Sequence, residues 1–332
     1  MQVTPRILIP AAIVALACLP AVTKINTPVP NTAEGPPVLW RDPIDIASRD
    51  LYFGPGGKAH LPVGPFHFEK EVTTGSQPKF DVIDAAGVRW SVKLGIEAQP
   101  ETAASRLLWA AGYFSNEDYF LPTLEVQDLP HLHRGSNHVT SGGVVHGARL
   151  KRHPQDQEKI GSWQWAECPF SGTREWYGLR VMMALMNNWD VKDVNTAIFQ
   201  LKGAHPEQRY LVSDLGASFG PVALSRSLKG HLQAYRQSKW IRSVSSDYVD
   251  FNVPSPPTGG YWIAFPLRVE RLGLDWFGRH IPREDCRWIG NLLSHLSLSQ
   301  IQNAFRAADY SPEEIQGFSV IVEQRIRELQ AM

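Results

Sequence analysis

The chain has 332 residues, 43% of them hydrophobic and 20% charged, enough to bury a sizeable core as one bilobal unit or two domains. Its 33 lysines and arginines balance 33 aspartates and glutamates, which excludes a global basic field for nucleic acid or acidic lipid. A single polyanionic substrate can still meet a local patch.

Residues 1–23 open with one positive charge, Arg6, and then a mostly apolar run from Ile7, interrupted by Pro10. This is the make-up of a secretory leader, with cleavage after Ala17 on the Ala15-Leu16-Ala17 triplet and Cys18 beside it as a lipidation candidate. The alternative is an uncleaved anchor, since the run from Ile7 to Thr23 is about 17 residues, the short limit for spanning a bilayer. The expectation is an exported protein, periplasmic or extracellular, or one anchored and facing the cytoplasm. Membrane contact is expected only through this segment. Residues 24–43, rich in Pro, Thr and Asn with little apolar periodicity, read as a linker outside the core. Beyond the leader remain Cys168 and Cys286, which pair in an oxidising compartment if the fold brings them together and otherwise stay as free thiols.

Three strand-like runs follow, Phe66 to Val72, Phe80 to Asp84 and Val88 to Leu94, joined by turns at Thr73 to Lys79 and Ala85 to Gly87. After Pro100, the stretch Glu101 to Ala111 is rich in Ala and Leu and ends at Gly112, the pattern of a helix with a C-terminal glycine. Tyr119 to Val126 and Val144 to Lys151 read as two further strands. The loop between them, Leu129 to Gly143, carries His131, His133 and His138 without an accompanying metal-ligand motif, and a solvated loop is the simpler reading. The cluster Arg149, Lys151, Arg152 and His153 either faces phosphate or is a solvated strand end. Gly172 to Met186 is a long apolar helix. Near the end, Ser299 to Gln302 and Ser311 to Glu314 each resemble a capping box that opens a helix.

The chemistry concentrates in Asn188-Trp189-Asp190-Val191-Lys192-Asp193-Val194-Asn195, between that long helix and the apolar strand Thr196 to Phe199. Asp190-x-Lys192-x-x-Asn195 has the spacing of a kinase catalytic loop. There an aspartate orients the attacking hydroxyl, a lysine neutralises the moving phosphoryl group and an asparagine offers a neutral oxygen to a metal ion. Downstream, an apolar run ends in Asp214-Leu215-Gly216, similar to Asp-Phe-Gly, where a carboxylate meets magnesium. Lys93 stands in an otherwise apolar strand and needs a carboxylate partner, with Glu101 the first choice and Glu97 the second. Thr74-Gly75-Ser76-Gln77, between the first two strands, can offer backbone N–H groups to phosphate oxygens.

In this order, the elements over residues 60 to 225 resemble the protein-kinase-like superfamily, in an atypical branch near HipA-like and lipid kinases. The Thr74 to Lys79 loop is closer to a Gly-Ala-Gln type than to Gly-x-Gly-x-x-Gly, and Asn188-Trp189-Asp190 replaces His-Arg-Asp. The resemblance implies an α+β, two-lobed fold: a small antiparallel-sheet N-lobe with one helix over residues 44–150, and a mainly helical C-lobe over 151–332. It implies ATP with Mg2+ or Mn2+, a hydroxyl-bearing acceptor of unspecified class, and phosphoryl transfer. Asp190 and Lys192 would be catalytic. Lys93, Glu101, Thr74, Gly75, Ser76 and Gln77 would hold the nucleotide, and Asn195 and Asp214 the metal. Adenylyl transfer on the same fold and an exported pseudokinase scaffold are the alternatives. The missing arginine of His-Arg-Asp and the lack of an Ala-Pro-Glu segment leave regulation by activation-loop phosphate and protein-substrate docking without support.

Overall fold

The computed structural model describes residues 33–75, 77–220, 228–252 and 275–332; the expected leader, the first part of the linker and Ser76 lie outside them. The first described strand, β1 (Pro37–Val38), runs parallel to Gln208 and Arg209. Leu39 beside it is 3% exposed, and Trp40 bridges to Tyr113. The linker expected over residues 24–43 therefore does not extend to its end. Proline is tolerated at a sheet edge, where a missing N–H costs nothing, and Leu39 and Trp40 supply apolar surface that the average composition of the segment conceals.

Strands β2 (Phe66–Val72), β3 (Lys79–Ile83) and β4 (Arg89–Lys93) form an antiparallel meander. Helix α1 (Ala98–Ala110) follows, then β5 (Asp118–Gln127), β6 (Val139–Thr140) and β7 (Val144–Arg152). Strand β7 pairs with both β5 and β4, and β5 closes on β2 through the parallel partners Phe66–Val126 and His67–Gln127. The expected antiparallel sheet is thus a closed ring, β4-β3-β2-β5-β7, with one parallel pairing. Closure leaves the ring without an unpaired edge and gives its inward-pointing residues a private interior. Phe80, Val82, Trp90, Val92, Leu124, Val126, Val145 and Leu150 fill it.

Helix α1 starts three residues before the expected Glu101. Pro100 sits in its first turn, where the N–H that proline lacks would have no intrahelical acceptor. Its apolar face, Ala103, Ala104, Leu107 and Leu108, belongs to the larger core shared with the C-terminal helices. The helix therefore ties that core to the strand ring.

Strand β8 (Gln157–Gly161) leads to α2 (Arg174–Leu185), whose start is capped by the Thr173 hydroxyl accepting from Trp176 N. Then come β9 (Thr196–Leu201) and β10 (Glu207–Val212), which complete a sheet in the order β1-β10-β9-β8. Helix α3 (Leu232–Gln237) precedes a small sheet of β11 (Ile241–Val244), β12 (Tyr248–Phe251) and β13 (Ile281–Pro282). Helices α4 (Arg283–Leu293), α5 (Leu298–Arg306) and α6 (Pro312–Gln330) end the chain, and the whole is a mixed α+β fold. The C-terminal part accordingly carries more strand than a mainly helical region.

The capping box of α5 is Ser297 with Gln300, two residues ahead of the expected Ser299 with Gln302; both pairs have the three-residue spacing, and the helix starts at Leu298. That of α6 is Ser311 with Glu314, as the sequence indicates. Cys168 and Cys286 are both free thiols. No helix among the described residues is long and apolar enough to cross a membrane.

Candidate active site

Alternation along β4 builds the first wall of the site. Trp90 and Val92 point into the ring, so Arg89, Ser91 and Lys93 lie on its outer face. Cross-strand register then sets Lys79 beside Lys93 on one side and Arg149 on the other, with Lys151 opposite Ser91. Lys93 does not sit in a uniformly apolar strand; its neighbours on the same face are polar.

The Lys93 side chain is only 2% exposed, and its Nζ lies 2.6 Å from Glu101 Oε2, 3.0 Å from Asp214 Oδ1 and 3.2 Å from Glu97 Oε2. Both carboxylates named from sequence as partners are in place. Arg149, also buried, stands 3.0 Å from Glu101 and 3.6 Å from Asp118, while Lys229 pairs with the second oxygen of Glu97. Burial works against the Lys93 ammonium, but Glu101 and Asp214 outweigh it and raise its pKa. Burial likewise favours neutral Asp214, yet Lys93 and the Gly216 N–H hold it down to about 2. Asp118 is pushed up, chiefly by burial, against the pull of Arg149.

The second wall comes from the segments after α2 and β10, stitched together by one carbonyl. Asn195 O accepts from Ser213 N at 2.7 Å, Ser213 Oγ at 3.0 Å and Asp214 N at 3.3 Å. Asn195 Nδ2 in turn donates to Asp190 O at 2.7 Å, and Lys192 Nζ lies 3.3 Å from Asp190 Oδ1. Asn188, 1% exposed, accepts from Asp190 N at 3.1 Å and donates to Ser218 Oγ at 3.1 Å. Trp189 Nε1 donates to Asn187 Oδ1 at 2.7 Å. The Asn-Trp-Asp form thus has a local purpose: Asn188 and Trp189 brace the loop internally. In Asp214-Leu215-Gly216 the glycine answers to close approach, since a Cβ there would stand 2.7 Å from Glu97 Cβ.

Thr74, Gly75, Lys93, Glu101, Asp190, Lys192, Asn195 and Asp214 all line one cleft of about 480 Å³. Gln77 does not line it. Its Nε2 instead donates to Glu97 Oε1 at 3.2 Å, so it supports the Lys93 partners from behind.

Asp214 and Asn195, tied by their backbones, are the carboxylate and the amide oxygen that could hold a metal ion. Among the described residues no group of three His, Cys, Asp or Glu side chains could hold a metal by itself. That donor set fits Mg2+ or Mn2+ shared with ligand phosphates, because magnesium is usually held by one or two carboxylates plus phosphate and water.

No family model and no curated protein matches the chain. Among solved structures it is similar to the Helicobacter pylori proinflammatory kinase CtkA, with 8% identity and a TM-score of 0.42 over 80% of this chain and 92% of that one. It is also similar to the Golgi casein kinase, with 11% identity and a TM-score of 0.39 over 81% of this chain and 72% of the other. A Golgi casein kinase structure with Mn and ADP bound gives 10% identity and a TM-score of 0.31 over 79% and 73%.

Three contributors to the site carry no recognisable sequence signal. Arg134, in the histidine-containing loop, donates to the carbonyls of Gly75 at 2.7 Å, Val72 at 3.2 Å, Gln77 at 3.3 Å and Thr74 at 3.4 Å. Glu71 holds this brace by accepting from Arg134 N at 3.2 Å and from His133 Nδ1 at 2.8 Å. The histidine loop is therefore a support for the Thr74–Gly75 turn, in which Gly75 adopts φ +88°. Lys229 and Lys159 are the other two. Lys79, which the sequence places in the turn, is instead the first residue of β3.

Proposed function

We propose that the protein is an ATP-dependent phosphotransferase that moves a phosphoryl group to a hydroxyl acceptor with Mg2+ or Mn2+. The reading is carried by one observation: the buried Lys93 ammonium is fixed between Glu101 and Asp214, in the same cleft that Asp190 and Asn195 line. A buried lysine held this tightly is a preformed cation, and it costs little reorganisation when phosphate oxygens arrive.

On this reading the strand ring and the helical part act as two lobes around the cleft. Lys93 meets the inner phosphates, and Glu101, steadied by Arg149, keeps the ammonium in position. The Thr74–Gly75 turn, drawn back by Arg134 through its carbonyls, offers N–H groups toward the phosphate chain. The metal, held by Asp214 and Asn195, would neutralise phosphate charge. Asp190 accepts the proton of the acceptor hydroxyl as that oxygen bonds to the terminal phosphorus and the bond from phosphorus to the bridging oxygen breaks, releasing ADP. Lys192, beside Asp190, balances charge on the moving group.

The test is isotopic. Purified protein is incubated with Mg2+ or Mn2+ and ATP labelled at either the α- or the γ-phosphate, with water and a panel of hydroxyl compounds as acceptors. Label from the γ position alone is expected on product, and Asp190→Asn should slow its transfer by about 10²–10⁴. Transfer of α-label would replace phosphoryl with adenylyl transfer, and the absence of any nucleotide binding would remove the enzymatic reading altogether.

A further inference from the structure

The cleft divides into a charge-balanced part and an unbalanced one. Around Lys93, the cations Lys93, Arg149 and Lys229 all make ion pairs, with Glu97, Glu101, Asp118 and Asp214 between them. Lys79, Lys151 and Lys159 line the same cleft, yet none of them forms an ion pair among the described residues. Two of the three are fixed by strand register: Lys79 is the cross-strand neighbour of Lys93, and Lys151 that of Ser91, two residues away. Lys79 Nζ tucks beneath the phosphate-loop turn, 3.4 Å from where a Cβ on Gly75 would stand. Lys159 is exposed and reaches the cleft from β8.

Among the described residues, apolar side-chain contact in this cleft comes from Val72 and Val194, and no aromatic side chain lines it. A site that recognised its ligand mainly through a planar base would be expected to wall that base with apolar and aromatic groups. This cleft presents the ammonium groups of Lys79, Lys151 and Lys159. Their free-state cost is visible in their acidity. Burial, then the nearby Arg149, pushes Lys151 down to about 8, and burial followed by Lys93 lowers Lys79. Cations so placed gain most from a ligand that brings negative charge.

Building on the phosphotransferase reading, we propose that Lys79 and Lys151, with Lys159 at the mouth, form a phosphate-binding subsite flanking Lys93, so that the cleft engages its donor through the phosphate chain and takes little from the base. The shared chemistry is a linear run of phosphates, whether in a nucleoside triphosphate or in inorganic polyphosphate.

The experiment is a calorimetric titration of the full chain, in Mg2+, with ATP, GTP, inorganic tripolyphosphate and adenosine. ATP, GTP and tripolyphosphate should bind within about tenfold of one another, and adenosine should give no heat. Lys79→Met and Lys151→Met should each weaken the phosphate ligands by about tenfold, equivalent to one lost charge-assisted contact. Lys151→Arg should largely restore binding, and Lys58→Met, outside the cleft lining, should leave it unchanged. If tripolyphosphate responds equally to these substitutions, the free chain suffices; nucleotides that bind while tripolyphosphate does not overturn the proposal. Strict dependence on adenine, with GTP and tripolyphosphate silent, overturns the proposal. So does ATP binding that both methionine variants leave within twofold of wild type, an outcome that keeps the phosphotransferase reading intact. If none of the ligands binds, both fall together.

Discussion

Replacing Lys93 by methionine removes the cation that Glu97, Glu101 and Asp214 share, and the surroundings set what that should cost. Deleting one member of a buried ion pair commonly destabilises by about 3–5 kcal/mol, because the partner is left charged and dry. Here each stranded carboxylate keeps some relief. Arg149 is 3.0 Å from Glu101, Lys229 pairs with Glu97, and the Asp214 side chain is 32% exposed and open to water. The expected loss is therefore about 2–3 kcal/mol, below the usual range. Glu101→Gln should cost about 1–2 kcal/mol, since Lys93 retains Asp214 and Glu97 while Arg149 retains Asp118. Because both changes act on one 2.6 Å contact, the double variant should be less destabilised than the sum, with a coupling of about 1–2 kcal/mol. Urea unfolding of wild type, both single variants and the double variant at neutral pH measures all four terms. Additivity to within about 0.5 kcal/mol would refute the contact as the centre of the cluster.

Asp190→Asn should retain nucleotide affinity within a few-fold and lower turnover by about 10²–10⁴, read by comparing ligand titration with label transfer. Lys151 titrates near 8 when folded and near 10.5 in an ordinary setting. Between those values the unfolded chain binds more protons, so stability should rise with pH across that window. Lys151→Met should flatten the rise and stabilise the protein at neutral pH by about 1–2 kcal/mol, measured by denaturant unfolding at several pH values. Leu39→Ala should cost about 2–4 kcal/mol in the same assay, as for a buried leucine, whereas a true linker position would show no change.

The alternation of Phe66 to Val72 and of Val88 to Leu94 made the ring strands legible, because a period of two survives in any half-buried strand. The closure of the ring did not, since it rests on two parallel partners between β2 and β5 that leave no local mark. Ser311 and Glu314 fixed the start of α6 by their spacing. Ser299 misled because two overlapping Ser-x-x-Gln pairs stand here, and the helix uses the earlier one, Ser297 with Gln300. Within the cleft, Asp190 and Asn195 were found by spacing, Asp214 by the Asp-Leu-Gly that ends an apolar run and Lys93 as a lysine in an otherwise apolar strand, and the fold brings all four to one place. Arg134 could not be found that way. Its role depends on four loop carbonyls converging on one guanidinium, which is a property of the folded chain alone. Gln77 illustrates the converse, a residue in the expected loop whose side chain turns to Glu97.

The most direct measurement is ATP binding by calorimetry with and without Mn2+, for wild type and for Asp214→Ala. The account predicts saturable binding that tightens when the metal is present and falls at least tenfold in Asp214→Ala. Binding that ignores both the metal and the loss of Asp214, or no binding by the wild type, would contradict it.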